Sequence, residues 1–371
     1  MSRRGIDGRS LALAALAAVL LAGTARVGEA QVLEPDPGPM LVQPAPAEGN
    51  SPSRRMWQIQ HIAIPERPVH ILPGGTLTDL ASIIVEGESG AWYSLADCVG
   101  GLCAELVTGP HSIETLPPDA LPGSHVATGT NGILRAWLAE PTQRFDASAI
   151  GASVAATLVV EDHTTRDYRF EAGLDEGFED LRPRIADIEG QGIDTIFTVK
   201  SSREQGASLI ALRLEAEGLL RIVAATPPVG HPFGWLNPAG VADFTGEGRK
   251  AVAIVRTPGA EGQLQILDLA GDHFTLRFAV PGVNTYVPER TVLDMAVIAD
   301  FDGDGVADIA LPNATRQAIR ILSFFSSQLA EPATIALPSV VTTEIAGIRP
   351  GIGGRPYLLM GLDDGSLVLL H

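Results

Sequence analysis

A chain of 371 residues with 44 acidic against 26 basic side chains, a net charge of −18, is poorly suited to hold a nucleic acid, whose phosphates are gripped by clustered Lys and Arg. Only Lys200 and Lys250 are lysines, and the arginines are scattered. Hydrophobic content of 45% permits a sizeable core and excludes wholesale disorder, while 40 Gly, 27 Pro and only 5% aromatic residues suit many short strands joined by turns.

Residues 1–30 read as a signal peptide. Arg3, Arg4 and Arg9 form a basic start, Leu11 to Gly23 is an apolar stretch, and Gly28 and Ala30 are small residues before a cut at Gln31. As a helix that stretch spans about 20 Å, short of the ~30 Å hydrocarbon core, so no membrane span is expected in the mature chain. The expectation is export to a periplasm or out of the cell. Residues 31–56 carry Pro35, Pro37, Pro39, Pro44, Pro46 and Pro52 among small polar residues, the composition of an extended, solvated linker.

The folded part, expected to be all-β over 57–371, begins near Trp57, where Gln58 to Ile64 alternates polar and apolar as a strand does. Cys98 and Cys103 are the only cysteines; in an oxidising compartment a lone close pair is most simply a disulfide closing a Gly-rich turn. Across 57–125 the turn signals leave open whether this stretch is part of the same fold or a cap. From about residue 126 short apolar runs recur, among them Ile133–Leu138, Ala156–Val160, Ala251–Val255, Met295–Ile298 and Ala318–Leu322, each bounded by Gly, Pro, Asp or Asn. The acidic runs Glu161-Asp162 and Asp175 to Asp180 read as solvated faces.

Three segments then show an internal repeat. Asp187-Ile-Glu189-Gly190-Gln191-Gly192, Asp243-Phe-Thr245-Gly246-Glu247-Gly248 and Asp300-Phe-Asp302-Gly303-Asp304-Gly305 each follow an alanine and precede an apolar run, and their leading aspartates are 56 and 57 residues apart. A fixed period of that length is one supersecondary unit copied in tandem, and about four short strands per unit matches a propeller blade. These segments resemble FG-GAP or VCBS repeats, the β-propeller blades of integrin α-subunit heads and of many exported bacterial proteins. The resemblance covers residues 182–325, extends more weakly over 130–181 and 343–371, and does not reach 31–125. It implies a β-propeller of five to seven blades, six preferred, with the Gln58–Ile64 strand completing a C-terminal blade that is otherwise short of strands.

The third repeat carries Asp300-x-Asp302-x-Asp304-Gly305-x-x-Asp308, four carboxylates within nine residues. Converging carboxylates repel unless a cation neutralises them, and hard oxygen ligands suit Ca²⁺. The resemblance implies side-chain ligation by Asp300, Asp302, Asp304 and Asp308 and carbonyl ligation by Val306, one Ca²⁺ site in all. An EF-hand would need a bidentate Glu at the twelfth position, where Leu311 stands. The plainer reading is an Asp/Gly turn without an ion. The first two repeats keep the glycines and lose most of the acids, so they are expected to keep the turn without binding.

No catalytic constellation stands out. The eight histidines are dispersed, and neither His-Glu-x-x-His, Gly-x-Ser-x-Gly nor a phosphate-binding loop is present. Trp235 reads either as an exposed sugar-stacking ring or, better, as a packed core residue. The expectation is a monomeric, Ca²⁺-binding, non-enzymatic scaffold presenting loops to a protein or glycan partner. The alternative is a lyase or hydrolase acting on envelope or extracellular polysaccharide, with catalytic residues drawn from separate blades.

Overall fold

The computed structural model describes residues 55–371 apart from 99–100, 110–114, 146–147, 233, 260–261, 289, 350 and 352–353. The signal peptide and nearly all of the Pro-rich linker lie outside the described residues. Apart from Leu77–Thr78 and from Glu176–Phe178, which bridges the second and third units, the described strands group into six four-stranded antiparallel units, so the protein is a six-bladed β-propeller. The first blade comprises Pro68–Leu72, Ile84–Gly87, Trp92–Cys98 and Gly101–Val107. Ala127–Thr128, Ile133–Thr142, Val154–Asp162 and Asp167–Glu171 form the second. The third holds Arg184–Ala186, Thr195–Ser202, Gly206–Leu214 and Leu220–Ala225. Leu236–Ala242, Ala251–Arg256, Gln263–Ala270 and His273–Pro281 make the fourth. The fifth contains Val297–Ala299, Asp308–Pro312, Ala318–Ser323 and Ala330–Ala336.

The sixth blade is built from both ends of the described chain. Ala346–Ile348, Tyr357–Gly361 and Leu367–Leu370 accept Ile59–Ile62 as their fourth strand, with Ile59 opposite Leu370 and Ile62 opposite Leu367. The strand expected over Gln58–Ile64 therefore does complete the C-terminal blade. Gln58 and His371 extend the ladder with reciprocal backbone hydrogen bonds of 2.9 and 3.1 Å. Pairing the two ends covers the edge that Leu367–Leu370 would otherwise present. It leaves a four-residue outer strand in its place, a short edge at which a sheet recruits other chains less readily. Leu77–Thr78 adds a short parallel strand beside Ala346–Ile348. Here Gly347 is needed for space, because a Cβ on it would stand 2.6 Å from Val297 Cγ1 and 2.9 Å from the Thr76 carbonyl oxygen.

Burial explains the apolar runs. A middle strand such as Val154–Asp162 is covered on both faces by neighbouring blades and is buried along nearly its whole length, so it reads as continuous hydrophobics. The outer strand Asp167–Glu171 alternates half-buried and exposed residues. Aromatic pairs bridge neighbouring blades: Phe197 with Phe274 at 6.4 Å between ring centroids, and Phe244 with Phe324 at 6.2 Å in an edge-on arrangement. Each such pair adds about 0.5–1.5 kcal/mol beyond its buried area. Trp235 belongs to this core; it is 6% exposed, packs edge-on against Tyr286 and donates from Nε1 to the Glu179 carbonyl at 3.1 Å.

The acidic runs are solvated only in part: Asp175 is exposed and Asp162 and Glu176 are half-buried, as a solvated face would have them. Glu161, Glu179 and Asp180 are buried. Asp180 accepts both 2.6 and 2.7 Å hydrogen bonds from Arg184 Nη1, and Glu161 is paired with Arg135. These acids are tolerated because each is paired, Asp180 with its near neighbour Arg184 and with Thr198 Oγ1 at 3.2 Å, and Glu179 with Ser201 Oγ at 2.7 Å. The partners from distant strands are information that a linear run of charges does not carry. Cys98 and Cys103 form a disulfide across the hairpin of the first blade's outer two strands.

Candidate metal centre

The three repeated segments fold into hairpins of one register. The alanine before each leading aspartate pairs with the residue nine places into the motif: Ala186 with Thr195, Ala242 with Ala251, and Ala299 with Asp308. In each loop the leading aspartate takes hydrogen bonds from the backbone it encircles. Asp187 accepts from the Gln191 and Gly192 N–H groups at 3.0 and 2.7 Å, and Asp243 from Gly246 and Gly248 at 2.8 and 2.7 Å. Asp300 accepts from Gly303 at 2.6 Å and Gly305 at 2.9 Å. The two glycines of the third loop both have φ of 86°, a left-handed conformation that other residues adopt only with strain. The turn is thus common to all three copies. The second motif position, Ile188, Phe244 or Phe301, is buried between blades and anchors it.

What differs is the acid content. In the third loop, carboxylate oxygens of Asp300, Asp302 and Asp304 lie within 4.8 Å of one another. Asp302 accepts from the Asp304 N–H at 3.1 Å and Asp304 from the Val306 N–H at 2.8 Å, which holds the three side chains over the turn. Asp308 is placed differently. Its Oδ2 accepts from the Phe301 and Asp302 N–H groups at 2.9 and 3.2 Å, closing the loop from beneath. Its Oδ1 is buried and accepts no close hydrogen bond in a residue that is 0% exposed, the Ser323 hydroxyl being the one side chain near enough to the carboxyl to favour its charge. Val306 lies with its side chain against Gly246 of the preceding blade, 2.9 Å from the position of a Cβ there.

Electrostatics mark the same residues. Burial, followed by the nearby Asp302 charge, pushes the Asp308 carboxyl up to about 7. Asp302 is also raised, first by burial and then by Asp304 and Asp300, against a smaller opposing pull from Arg355. Asp300, Asp302 and Asp304 converge and repel one another, while Asp308 lies outside that 4.8 Å group but feels the Asp302 charge. An orphaned buried acceptor costs about 1–3 kcal/mol. A hard cation with oxygen ligands answers both, so the residues fit such an ion.

In the sister loops the remaining acids have other partners. Glu189 of the first is paired with Arg213 at 2.6 Å, and Glu247 of the second with Arg277 at 2.7 Å. At the ninth position Thr195 and Ala251 are buried but uncharged. The sequence signals the missing acids; it does not signal the arginines, which come from distant strands of the same blades.

Two further polar assemblies escaped sequence reasoning. Near the centre of the ring, Arg182 pairs with Asp294 at 3.0 Å and His70 with Glu344 at 2.9 Å, and Gly74 lies between the two acids. Glu344 also accepts from the Ile71 N–H at 3.0 Å, and its hydrogen bond is the main reason the His70 imidazole is raised above its ordinary value. On the second blade a cavity of about 660 Å³ is lined by Asp119, Arg135, Trp137, Glu161, Asp167 and Arg169, among others. Arg169 pairs there with Asp119 at 2.8 Å and Glu140 at 3.0 Å. None of these contacts joins residues close in sequence.

No protein-family model matches the chain, and no curated protein does. Among the described residues, no helix is long and apolar enough to cross a membrane. The chain is similar in structure to the WD40 domain of coronin from Toxoplasma gondii, at 8% identity and a TM-score of 0.43, covering 86% of this chain and 87% of that one. It is likewise similar to a triple arginine-to-alanine mutant of AofleA from Arthrobotrys oligospora, at 9% identity and a TM-score of 0.41, covering 85% and 86%.

Proposed function

We propose that this β-propeller is an exported, calcium-binding protein of the FG-GAP or VCBS repeat kind that serves as a non-enzymatic scaffold for a protein or glycan partner. Asp300, Asp302, Asp304 and Asp308 would hold the ion through side chains and Val306 through its carbonyl. Bound Ca²⁺ would neutralise the cluster and stiffen the hairpin. The carrying observation is Asp308, a buried carboxylate with an unpartnered oxygen at the one repeat position where the sister hairpins place Thr195 and Ala251. A turn needs no charge there, and two of the three copies make the same turn without one. One copy out of three with a full acid set supports a structural clip on one blade over a sensor, which requires a bistable element. The cavity beside Trp137, lined by the apolar Leu116, Pro117 and Pro118 as well as by paired Arg and acid side chains, supports a polyhydroxylated ligand as one partner class.

Thermal unfolding of the chain in Ca²⁺ and in chelator, alongside Asp302→Ala, tests the ion. A ligand that binds only the folded state raises its midpoint in proportion to ln(1 + [L]/Kd). The expected result is a calcium-dependent rise that Asp302→Ala abolishes. Equal midpoints in both conditions, with no heat of binding on titration, would reduce the motif to a turn.

The enzymatic alternative draws on one observation, the His70–Glu344 pair close to Arg182–Asp294 at the ring centre. Its test is polysaccharide breakdown by the chain and by His70→Asn: activity lost in the variant would favour it over the scaffold.

A further inference from the structure

The fifth and sixth blades meet at the acid loop through a residue that the repeat logic makes unusual. In the sixth blade Ile348 pairs with Tyr357 as Ala299 pairs with Asp308 in the fifth. Arg355, two residues before Tyr357, therefore occupies the place that Val306 has in the fifth blade. The neighbour contacts agree. Val306 lands on Gly246, the fourth residue of the preceding blade's loop, and Arg355 lands on Gly303, the fourth residue of the acid loop. Its Nε and Nη2 each lie 3.1 Å from where a Gly303 Cβ would be. An apolar contact between the fourth and fifth blades is thus replaced, between the fifth and sixth, by a guanidinium set against Gly303, the residue between Asp302 and Asp304.

From this placement we infer that Arg355 is a tethered counter-cation of the Asp300–Asp308 loop, one that steadies the ion-free loop and weakens its hold on a divalent cation. The inference rests on the calcium reading above. The sister loops show the same economy of charge. Where the acid set is incomplete, Glu189 and Glu247 are neutralised by Arg213 and Arg277 of their own blades. In the acid loop the fixed cation comes from the next blade and cannot satisfy four carboxylates, so it shares them with an ion. A second cation lies behind it. Arg55 donates to the Pro356 carbonyl at 2.7 Å, stacks 3.7 Å from the Trp57 ring centroid, and is lowered to about 10 chiefly by burial, with a smaller effect from Arg355. The flank facing the sixth blade therefore carries positive charge, and a divalent ion entering the cluster meets like charge from the guanidinium on Gly303.

Calorimetric titration of the full chain with Ca²⁺ tests this, comparing wild type with Arg355→Gln and Arg355→Lys, each also melted in chelator. The expected result is Ca²⁺ bound about tenfold more tightly by Arg355→Gln, with Arg355→Lys within about twofold of wild type, as a fixed charge near an ion predicts. In chelator Arg355→Gln should melt below wild type, since the ion-free loop has lost its counter-charge. Arg355→Met, which keeps an apolar stem against Gly303, repeats the comparison should the Gln variant fold poorly. Calcium taken up by Arg355→Gln and not by wild type would support the inference in its strongest form. Equal affinities in wild type and both neutral variants would overturn it and leave the calcium reading standing. Weaker binding in folded neutral variants would also overturn it. No uptake by any of the proteins would overturn both.

Discussion

The indole of Trp57 rests on the ring of Phe301, centroids 6.2 Å apart and planes tilted by 50°. Trp57 leads into Ile59–Ile62, the strand that closes the sixth blade, and Phe301 is the second residue of the acid loop. The closure of the ring and the candidate ion site therefore share one aromatic contact, and a change in the loop has a direct route to the closing strand.

Calcium should be visible through that contact. Titration with Ca²⁺ is expected to shift indole emission, and Trp57→Phe to remove the shift while leaving the rise in melting midpoint. Phe301→Ala should lower stability by about 3–5 kcal/mol, the usual cost of deleting a buried aromatic, measured by denaturant unfolding. Emission unchanged by calcium in a protein whose midpoint does rise would show that loop and closing strand are uncoupled.

Asp308→Asn should have opposite signs with and without the ion. Without Ca²⁺ the substitution removes a buried negative charge with an unpartnered oxygen and leaves an amide oxygen to accept from Phe301 and Asp302, so the midpoint should rise. With Ca²⁺ it removes a ligand, and the midpoint should fall below wild type. The two melts in chelator and in calcium decide; a fall in both would assign Asp308 to the turn alone.

Glu179 offers a pH test away from the ion. It is 6% exposed, accepts from the Ala149 N–H at 2.8 Å and Ser201 Oγ at 2.7 Å, and burial raises its carboxyl above the ordinary value. A carboxyl raised on folding withdraws stability as pH climbs from its unfolded value through its folded one. Glu179→Gln should thus be more stable than wild type at pH 7, and the gain should vanish near pH 4; the Ser201 hydroxyl can turn to accept from the new amide. Melting curves at the two pH values check this, and a variant less stable at both would contradict it.

His70 titrates with the opposite sign. Its imidazole is raised by the hydrogen bond to Glu344, with Glu86 adding to the rise and Arg290 and burial opposing it. Stability from this pair is fully present below the unfolded value of 6.5 and is lost as pH rises through the folded one. His70→Gln should therefore cost more at pH 6 than at pH 8.5. The two unfolding midpoints measure the difference, and equal costs would place the pair outside the pH dependence.

The blade period, the turns and the acid motif were legible in the chain because each is written in residues within about ten positions of one another. Glycines supply positive φ, aspartates accept from nearby amides, and strands covered on both faces show as short apolar runs. The 57-residue spacing bounded the blade count to five to seven, with the structure deciding on six, and the alternation over Gln58–Ile64 carried the closing strand. Tertiary structure decided what depends on residues far apart in sequence. Glu161, Glu179 and Asp180 looked like solvated acids until strands from elsewhere covered them. The orphaned oxygen of Asp308, the guanidinium of Arg355 over Gly303 and the ring of Trp57 on Phe301 exist only once blades stand side by side. Local pattern determines how each hairpin turns; the electrostatics of the acid loop depend on which side chains neighbouring blades bring within a few ångströms, and no sequence period encodes that.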